Sequence, residues 1–215
     1  MKETSPTFVI VHGLDGSPTG HWQRCLESEL LSRGLRLRFP DLPSNESPDL
    51  RNWMDPLHST LINAGPDAVV VAHSLGALLW MQYASTPDCA AVDRVLLVAP
   101  PGLTELDELG RVRGHRAVSF HRERLRFAAK TVLMAGSLQD PYCRRGFADE
   151  YARPLAINPI YLPDRFRHVN IESGHGPWPF ALRWSLVGTS FARPSSEGES
   201  DHRIFMQYPE PGTRR

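Results

Sequence analysis

A buried strand that runs directly into a serine at the start of a helix constrains this chain more than any other feature. Residues 69–79 read Val-Val-Val-Ala-His-Ser-Leu-Gly-Ala-Leu-Leu, with Ser74 at the junction. Ala72 and Gly76 keep both flanks small, which a tight strand–turn–helix needs because the two backbones come close. Ala72 stands where the usual Gly-x-Ser-x-Gly pattern has its first glycine. Such a nucleophile elbow places the serine hydroxyl at a helix N-terminus, where N–H groups favour negative charge.

The alternative interpretation of Ser74 is a plain helix cap, since serine is a preferred residue at that position. Capping requires only the serine and does not require small residues on both sides of it. The combination of a buried strand, two small flanks and an apolar helix therefore favours a nucleophile over a cap.

Short apolar runs alternate with helical patterns along the rest of the chain. This alternation predicts a parallel sheet covered by helices on both faces, an α/β fold. The length of 215 residues suits one domain, which we assign to residues 1–192, and the Ser/Glu/Gly/Pro-rich residues 193–215 are expected to be a mobile tail. Predicted strands cover residues 8–11, 35–39, 68–72, 95–99, 131–135 and 157–162, and predicted helices cover 21–33, 50–61, 75–83, 144–152 and 178–191.

Composition argues for a small-molecule partner. The formal net charge is zero and the pI is about 7.1, so no global field would attract nucleic acid or an anionic membrane. The sequence shows neither a signal peptide nor an apolar run of membrane-spanning length. Cys25, Cys89 and Cys143 are odd in number and widely spaced, which does not fit a disulfide framework or a zinc site. We expect a cytoplasmic protein with reduced thiols, no metal and no cofactor.

A serine nucleophile needs a base and an acid that orients the base. In α/β-hydrolases these follow the serine in the order acid, then histidine, and each lies just past the carboxyl end of a strand. Asp140 follows the strand 131–135 in a turn, whereas Asp149 falls inside a predicted helix and Asp164 in a less favourable loop. His168 follows the strand that ends near residue 162. His175, in the same loop, is a competing base.

The loop after the first strand is glycine-rich, reading His-Gly-Leu-Asp-Gly-Ser over residues 12–17. The N–H groups of Leu14 and Leu75 are candidates for an oxyanion hole, because both follow strand ends beside Ser74. The loop lacks the glycine patterns of dinucleotide- and phosphate-binding sites.

Several blocks in order resemble the small serine hydrolase family that includes the retinoblastoma-binding hydrolase. The resemblance covers roughly residues 7–191 and implies a compact α/β-hydrolase without a large cap. It further implies an open parallel six-stranded sheet of order 2-1-3-4-5-6 and carboxyl-ester hydrolysis. It assigns the base to His168 and not to His175, with Arg167 in place of the glycine that usually precedes this histidine. The blocks are Gly20-His21-Trp22-Gln23, residues 72–76, 98–100, 137–142, 168–170 and 172–174, and Trp178-Pro179.

The predicted function is a serine esterase that cleaves esters, or thioesters, of small acyl groups through an acyl-enzyme. His73, Trp22 and Trp178 are expected to contact the substrate, with core packing as the alternative for the two tryptophans. The basic stretch 111–126 is interpreted as a solvated, partly helical face. The rival functions are a protein-interaction module on a hydrolase scaffold, acyl transfer, and cyanohydrin cleavage, since one fold hosts many activities.

Overall fold

Six parallel strands form one open sheet in the order β2-β1-β3-β4-β5-β6. The computed structural model describes residues 5–117 and 119–188. The observed order of the six strands confirms the order 2-1-3-4-5-6 that the family resemblance implies. The strands are β1 (Thr7–Val11), β2 (Arg36–Arg38), β3 (Val69–His73), β4 (Val92–Val98), β5 (Ala129–Ser137) and β6 (Asn158–Leu162).

Helices connect the strands and cover both faces of the sheet. Two of them begin at a side-chain cap: His21 accepts from the N–H of Gln23, and Asp49 accepts from the N–H of Arg51. The helices are α1 (Trp22–Ser32), α2 (Leu50–Ala64), α3 (Leu75–Ala84), α4 (Leu103–Leu109), α5 (Arg122–Ala128), α6 (Arg153–Leu155) and α7 (Pro179–Val187), with a π-helical turn at Ala148–Ala152 and 3-10 turns at Asp164–Phe166 and Ile171–Ser173.

The core has two layers, one on each face of the sheet. Alternate residues of β3 serve the two layers: Val70 packs with α2 and α3, and Val71 packs with α1 and α7. All five residues of β3 and all ten of α3 are buried. A continuous apolar run is typical of such a central parallel strand, because both of its faces are covered. The element that carries Ser74 is thus held between two hydrophobic layers.

The region after β5 differs from the pattern predicted by the sequence, whereas the basic stretch agrees with it. The helix predicted over residues 144–152 is instead a π-helical turn at Ala148–Ala152 followed by α6, because a turn that ends at Gly146, with φ of +84°, delays its start. The basic stretch contains the short helix α5, whose arginines are exposed and whose Leu125 is buried, as the partly helical interpretation predicts. The predicted tail, residues 193–215, lies outside the described residues.

Candidate active site

Ser74 lies in a sharp turn between β3 and α3. Its backbone has φ of 54° and ψ of −122°, a region that non-glycine residues rarely adopt and that costs about 1–3 kcal/mol. The N–H of Ser74 donates to the carbonyl of Val98 at 2.9 Å. The buried strand and helix on either side, together with this hydrogen bond to the end of β4, hold the turn in place.

Glycines let the neighbouring backbone approach this turn closely. A Cβ atom on Gly76 would lie 2.6 Å from the carbonyl oxygens of both Val11 and His12. A Cβ atom on Gly13 would lie 2.7 Å from the Cβ of Ser74. Both distances are far below van der Waals contact, so these two positions require glycine. Position 72 does not require glycine, since Ala72 places its methyl group within the fully buried part of β3.

Ser74, His168 and Asp140 form a continuous chain of hydrogen bonds. The Nε2 of His168 lies 2.9 Å from the Oγ of Ser74. Its Nδ1 lies 2.8 Å and 3.0 Å from the two carboxylate oxygens of Asp140, and Asp140 also accepts from the N–H of Tyr142. Because an ionised carboxylate only accepts, Nδ1 carries the hydrogen and the Nε2 lone pair faces the serine. All three side chains are buried.

The competing candidates lie elsewhere. The ring of His175 packs at a tilt against Phe166, at a centroid distance of 4.1 Å. Burial, assisted by the charge of Arg165, lowers the pKa of His175 to about 4. Asp149 and Asp164 are exposed to solvent. The structure therefore places His168 and Asp140, and not these competitors, beside Ser74. Their catalytic roles stay a prediction.

The proposed oxyanion donors lie beside Ser74. Leu14 and Leu75 both line the cavity in front of the serine. Over residues 5–117 and 119–188, neither backbone N–H donates to a backbone or side-chain acceptor. Both N–H groups stay candidates for the oxyanion hole.

A cavity of about 360 Å³ opens at Ser74. One part of its lining is apolar. Apart from Leu14, the residues of this apolar wall were missed by sequence reasoning, since the short helix α4 and the 3-10 turn carry no motif. Tyr142 lines both this cavity and a second one of about 480 Å³, and its ring packs on the imidazole of His168 at 4.6 Å. The apolar wall consists of Leu14, Pro101, Leu106, Leu109 and Ile171.

Surface ion pairs fasten α4, the helix that carries Leu106 and Leu109. Arg144 pairs with Glu105 and Glu108 on one side, and Asp107 pairs with His115 and Arg116 on the other. The part of the apolar wall that α4 supplies is thus a short surface segment held by charged side chains.

The three residues expected to contact the substrate have different positions. His73 does line the cavity. Trp22 is fully buried, and its Nε1 donates to the carbonyl of Val169 at 2.8 Å. Trp178 is also buried and packs edge-on against Trp22 at 5.1 Å. For both tryptophans the expected substrate contact is corrected to core packing, because neither ring reaches the cavity.

Histidines at the polar end of the cavity are uncharged at neutral pH. Burial, with the charges of His175, His168 and Arg24 adding to it, lowers the pKa of His21 to about 4. Complete burial, with the nearby His168 adding to it, holds the pKa of His73 well below its ordinary value. The cavity therefore presents neutral imidazoles beside its apolar wall.

Other chemistry suggested by residue type finds little support in the described residues. Burial raises the pKa of the Cys143 thiol to about 12, which leaves it protonated and unreactive. Within residues 5–117 and 119–188, no group of three or more His, Cys, Asp or Glu side chains is arranged to hold a metal ion, and no helix is long and apolar enough to cross a membrane.

This sheet order, with a serine at the turn between β3 and α3, defines an α/β hydrolase. The chain belongs to the serine hydrolase family, whose model matches residues 8–184. No curated protein sequence matches the chain significantly.

Solved structures share this fold. The ydeN gene product from Bacillus subtilis has a TM-score of 0.74 and 22% identity, over 88% of this chain and 100% of that one. A YdeN-like hydrolase from Pectobacterium atrosepticum has a TM-score of 0.65 and 23% identity, over 86% of this chain and 91% of that one. The esterase domain of a Rhodothermus marinus protein has a TM-score of 0.54 and 16% identity, over 87% and 88%. At these identities the likeness establishes the fold alone.

Proposed function

We propose that this hydrolase cleaves carboxylic esters of small acyl groups through an acyl-enzyme on Ser74. The observation that carries the proposal is the hydrogen-bonded chain from Ser74 through His168 to Asp140, whose serine and histidine line a cavity. Membership of the serine hydrolase family supports the same reaction class.

In the proposed mechanism the Oγ of Ser74 attacks the ester carbonyl while the Nε2 of His168 takes its proton. Asp140 accepts from Nδ1–H throughout and stabilises the imidazolium. The N–H groups of Leu14 and Leu75 bind the oxyanion, a contribution of about 2.7–4 kcal/mol for each donor. His168 then gives its proton to the leaving alcohol. A water molecule, deprotonated by His168, releases the carboxylic acid and restores the serine hydroxyl.

The cavity favours small, uncharged acyl groups. Its volume of about 360 Å³ is at the lower end of the range for ligand pockets. Leucine side chains and neutral imidazoles line it together with Asp15, Arg111 and Glu172. Arg111 already pairs with Asp15, so an anionic acyl group would be desolvated without an uncommitted cation among these lining residues. The esterase domain among the structural neighbours is consistent with an ester substrate.

The test is hydrolysis of p-nitrophenyl acetate and butyrate, with mapping of the residue labelled by a fluorophosphonate probe. We expect the probe to label Ser74, and Ser74→Ala to lower kcat by at least ~10³-fold, the scale of losing a triad member. Ser85→Ala, at the other end of α3, is the matched control and should retain both activity and labelling. Turnover that survives in Ser74→Ala, or a label on a different residue, would refute the assignment.

A further inference from the structure

Buried ring N–H groups hold two consecutive carbonyls of the segment that carries the base. The Nε2 of His73 lies 2.9 Å from the carbonyl oxygen of His168, and the Nε1 of Trp22 lies 2.8 Å from that of Val169. A carbonyl oxygen only accepts, so each ring must donate. The hydrogen of His73 is therefore on Nε2. These two contacts anchor the backbone at His168 and at the residue after it.

The anchored segment has an unfavourable backbone. Arg167 has φ of 41° and Val169 has φ of 54°, although neither is a glycine. Positive φ is rare outside glycine and is a clear outlier for a β-branched residue such as valine. A loop in this conformation relaxes unless its surroundings prevent it. Fixed donors on its carbonyls are therefore required to keep His168 where it lies.

Both donors belong to rigid parts of the molecule. His73 is the last residue of β3 and directly precedes Ser74. Trp22 begins α1 and is fully buried, with its ring edge-on to His73 at 5.7 Å. His73 is held from a further side by His21, at a centroid distance of 5.0 Å. The end of one central strand thus carries the serine and also holds the backbone of the histidine that contacts it.

We propose that His73 and Trp22 are positioning residues, which fix the backbone of His168 so that its imidazole stays within reach of Ser74. This inference rests on the proposed role of His168 as general base. A base must lie within about 3 Å of the proton that it removes. A displacement of about 1 Å costs about 10²-fold in rate, so loss of either anchor should reduce turnover although neither residue belongs to the hydrogen-bonded chain of Ser74, His168 and Asp140.

Paired variants at position 73 test the direction of the N–H group. The side-chain amide of glutamine places a donor near the position of Nε2, whereas asparagine places it near that of Nδ1. We expect His73→Asn to lower kcat per probe-titrated site by about 10²-fold, with little change in KM. His73→Gln should restore most of this loss. Trp22→Phe, which removes only the N–H and one ring, should lower kcat in the same way.

A second measurement does not depend on turnover. The hydrogen between His168 Nδ1 and Asp140 gives a downfield proton NMR signal when the two side chains are held together. We expect this signal in the wild type and in His73→Gln, and expect it to be weakened or lost in His73→Asn and Trp22→Phe. If the wild type hydrolyses no ester, the proposed function fails, and this signal alone decides the positioning role.

The matched control for the tryptophan is Trp53→Phe. Trp53 is also fully buried, and its Nε1 also donates to a carbonyl, that of Pro43, away from the His168 segment. We expect this variant to lose stability but to keep kcat per site and the NMR signal. The proposal is overturned if His73→Asn and Trp22→Phe change only the thermal midpoint, as Trp53→Phe does, and retain both kcat per site and the Nδ1–H signal.

Discussion

Asp140 determines which nitrogen of His168 carries the hydrogen. Its carboxylate accepts from Nδ1–H of His168 and from the N–H of Tyr142. In Asp140→Asn the amide can donate to Nδ1, which would leave an N–H on Nε2 facing Ser74 and remove the base. We expect kcat for p-nitrophenyl acetate to fall by about 10⁴-fold, the scale known for such a tautomer change, while the thermal midpoint changes little.

Asp164→Asn is the matched control for that measurement. Asp164 is exposed at the start of a 3-10 turn, so its variant should keep wild-type turnover. A large loss in Asp164→Asn together with an unchanged rate in Asp140→Asn would contradict the assignment of the acid.

Single residues of the site were predictable when a motif or a strand end marked them. Ser74, Asp140 and His168 each follow a predicted strand in a fixed chain order. The roles of His73 and Trp22 were not predictable. The direction of each ring N–H is set by packing against a segment that is 95 residues from His73 and 147 residues from Trp22 in the chain. The substitution of glycine by Arg167 was visible from the resemblance, and the structure adds that this residue keeps the positive φ that glycine adopts most easily.

At the scale of elements, the packing of α3 against the end of β1 depends on Gly76. An added Cβ would lie 2.6 Å from two backbone carbonyl oxygens, and backbone of a buried strand cannot move aside cheaply. We expect Gly76→Ala to lower the free energy of unfolding by about 1–3 kcal/mol, as overpacking does. Because α3 carries Ser74 at its start, kcat per folded molecule should fall as well. Urea unfolding and esterase assays measure the two effects.

Gly176→Ala provides the comparison. A Cβ at that position would have its nearest neighbour, the carbonyl oxygen of Gly20, at 3.9 Å, which is ordinary contact. The structure requires Gly76→Ala to be clearly the more damaging change. Equal losses in the two variants would mean that the close approach of α3 to β1 has no energetic importance.

Elements with an apolar run or a strong helical pattern were predicted, and those without one were missed. β3 and α3 were predicted from their nearly continuous apolar sequences, and every residue of both elements is buried. β5 begins at Ala129, two residues before the predicted strand. The prediction began late because the exposed Lys130 interrupts the apolar pattern. In the seven-residue helix α4 only Leu106 is buried, with Leu103 partly buried against the same core layer, and so short a helix leaves little periodic signal.

For the molecule as a whole, buried neutral histidines make the free energy of unfolding depend on pH. The pKa values of His21 and His175 are lowered to about 4, and that of His73 lies well below its ordinary value. In the unfolded chain histidine titrates near 6.5. Between these pH values the unfolded chain binds more protons than the native protein. The contribution of these histidines to the free energy of unfolding is therefore fully present above pH ~6.5 and is lost as the pH falls towards ~4.

Urea unfolding at a series of pH values between 7.5 and 4.5 measures this effect. Each such histidine contributes up to ~1.4 kcal/mol per pH unit to the slope. His175→Gln should make the slope shallower by up to ~1.4 kcal/mol per pH unit, the contribution of one proton, because glutamine does not titrate. A slope that is the same in the wild type and in His175→Gln would show that this imidazole is not held neutral by the fold.

The sequence predicted the topology more completely than the cavity. The family resemblance implied the sheet order, and the sheet fixes where the three hydrogen-bonded side chains meet. The cavity wall combines Leu14, Leu106 and Ile171 from segments far apart in the chain. No local pattern marks Leu106 and Ile171, because their proximity to Ser74 exists only after folding.

The fastening of α4 by surface ion pairs has a consequence for how such enzymes diverge. Leu106 and Leu109 face the cavity from a seven-residue helix that Arg144 and Arg116 hold from outside, while Ser74 is embedded between the two core layers. Mutation can therefore remodel the apolar wall of the cavity and leave the folding of the central sheet almost untouched. Under selection for a new ester, we expect descendants of this chain to accumulate their adaptive substitutions in α4 and the rim loops, with β3 and α3 inherited nearly unaltered.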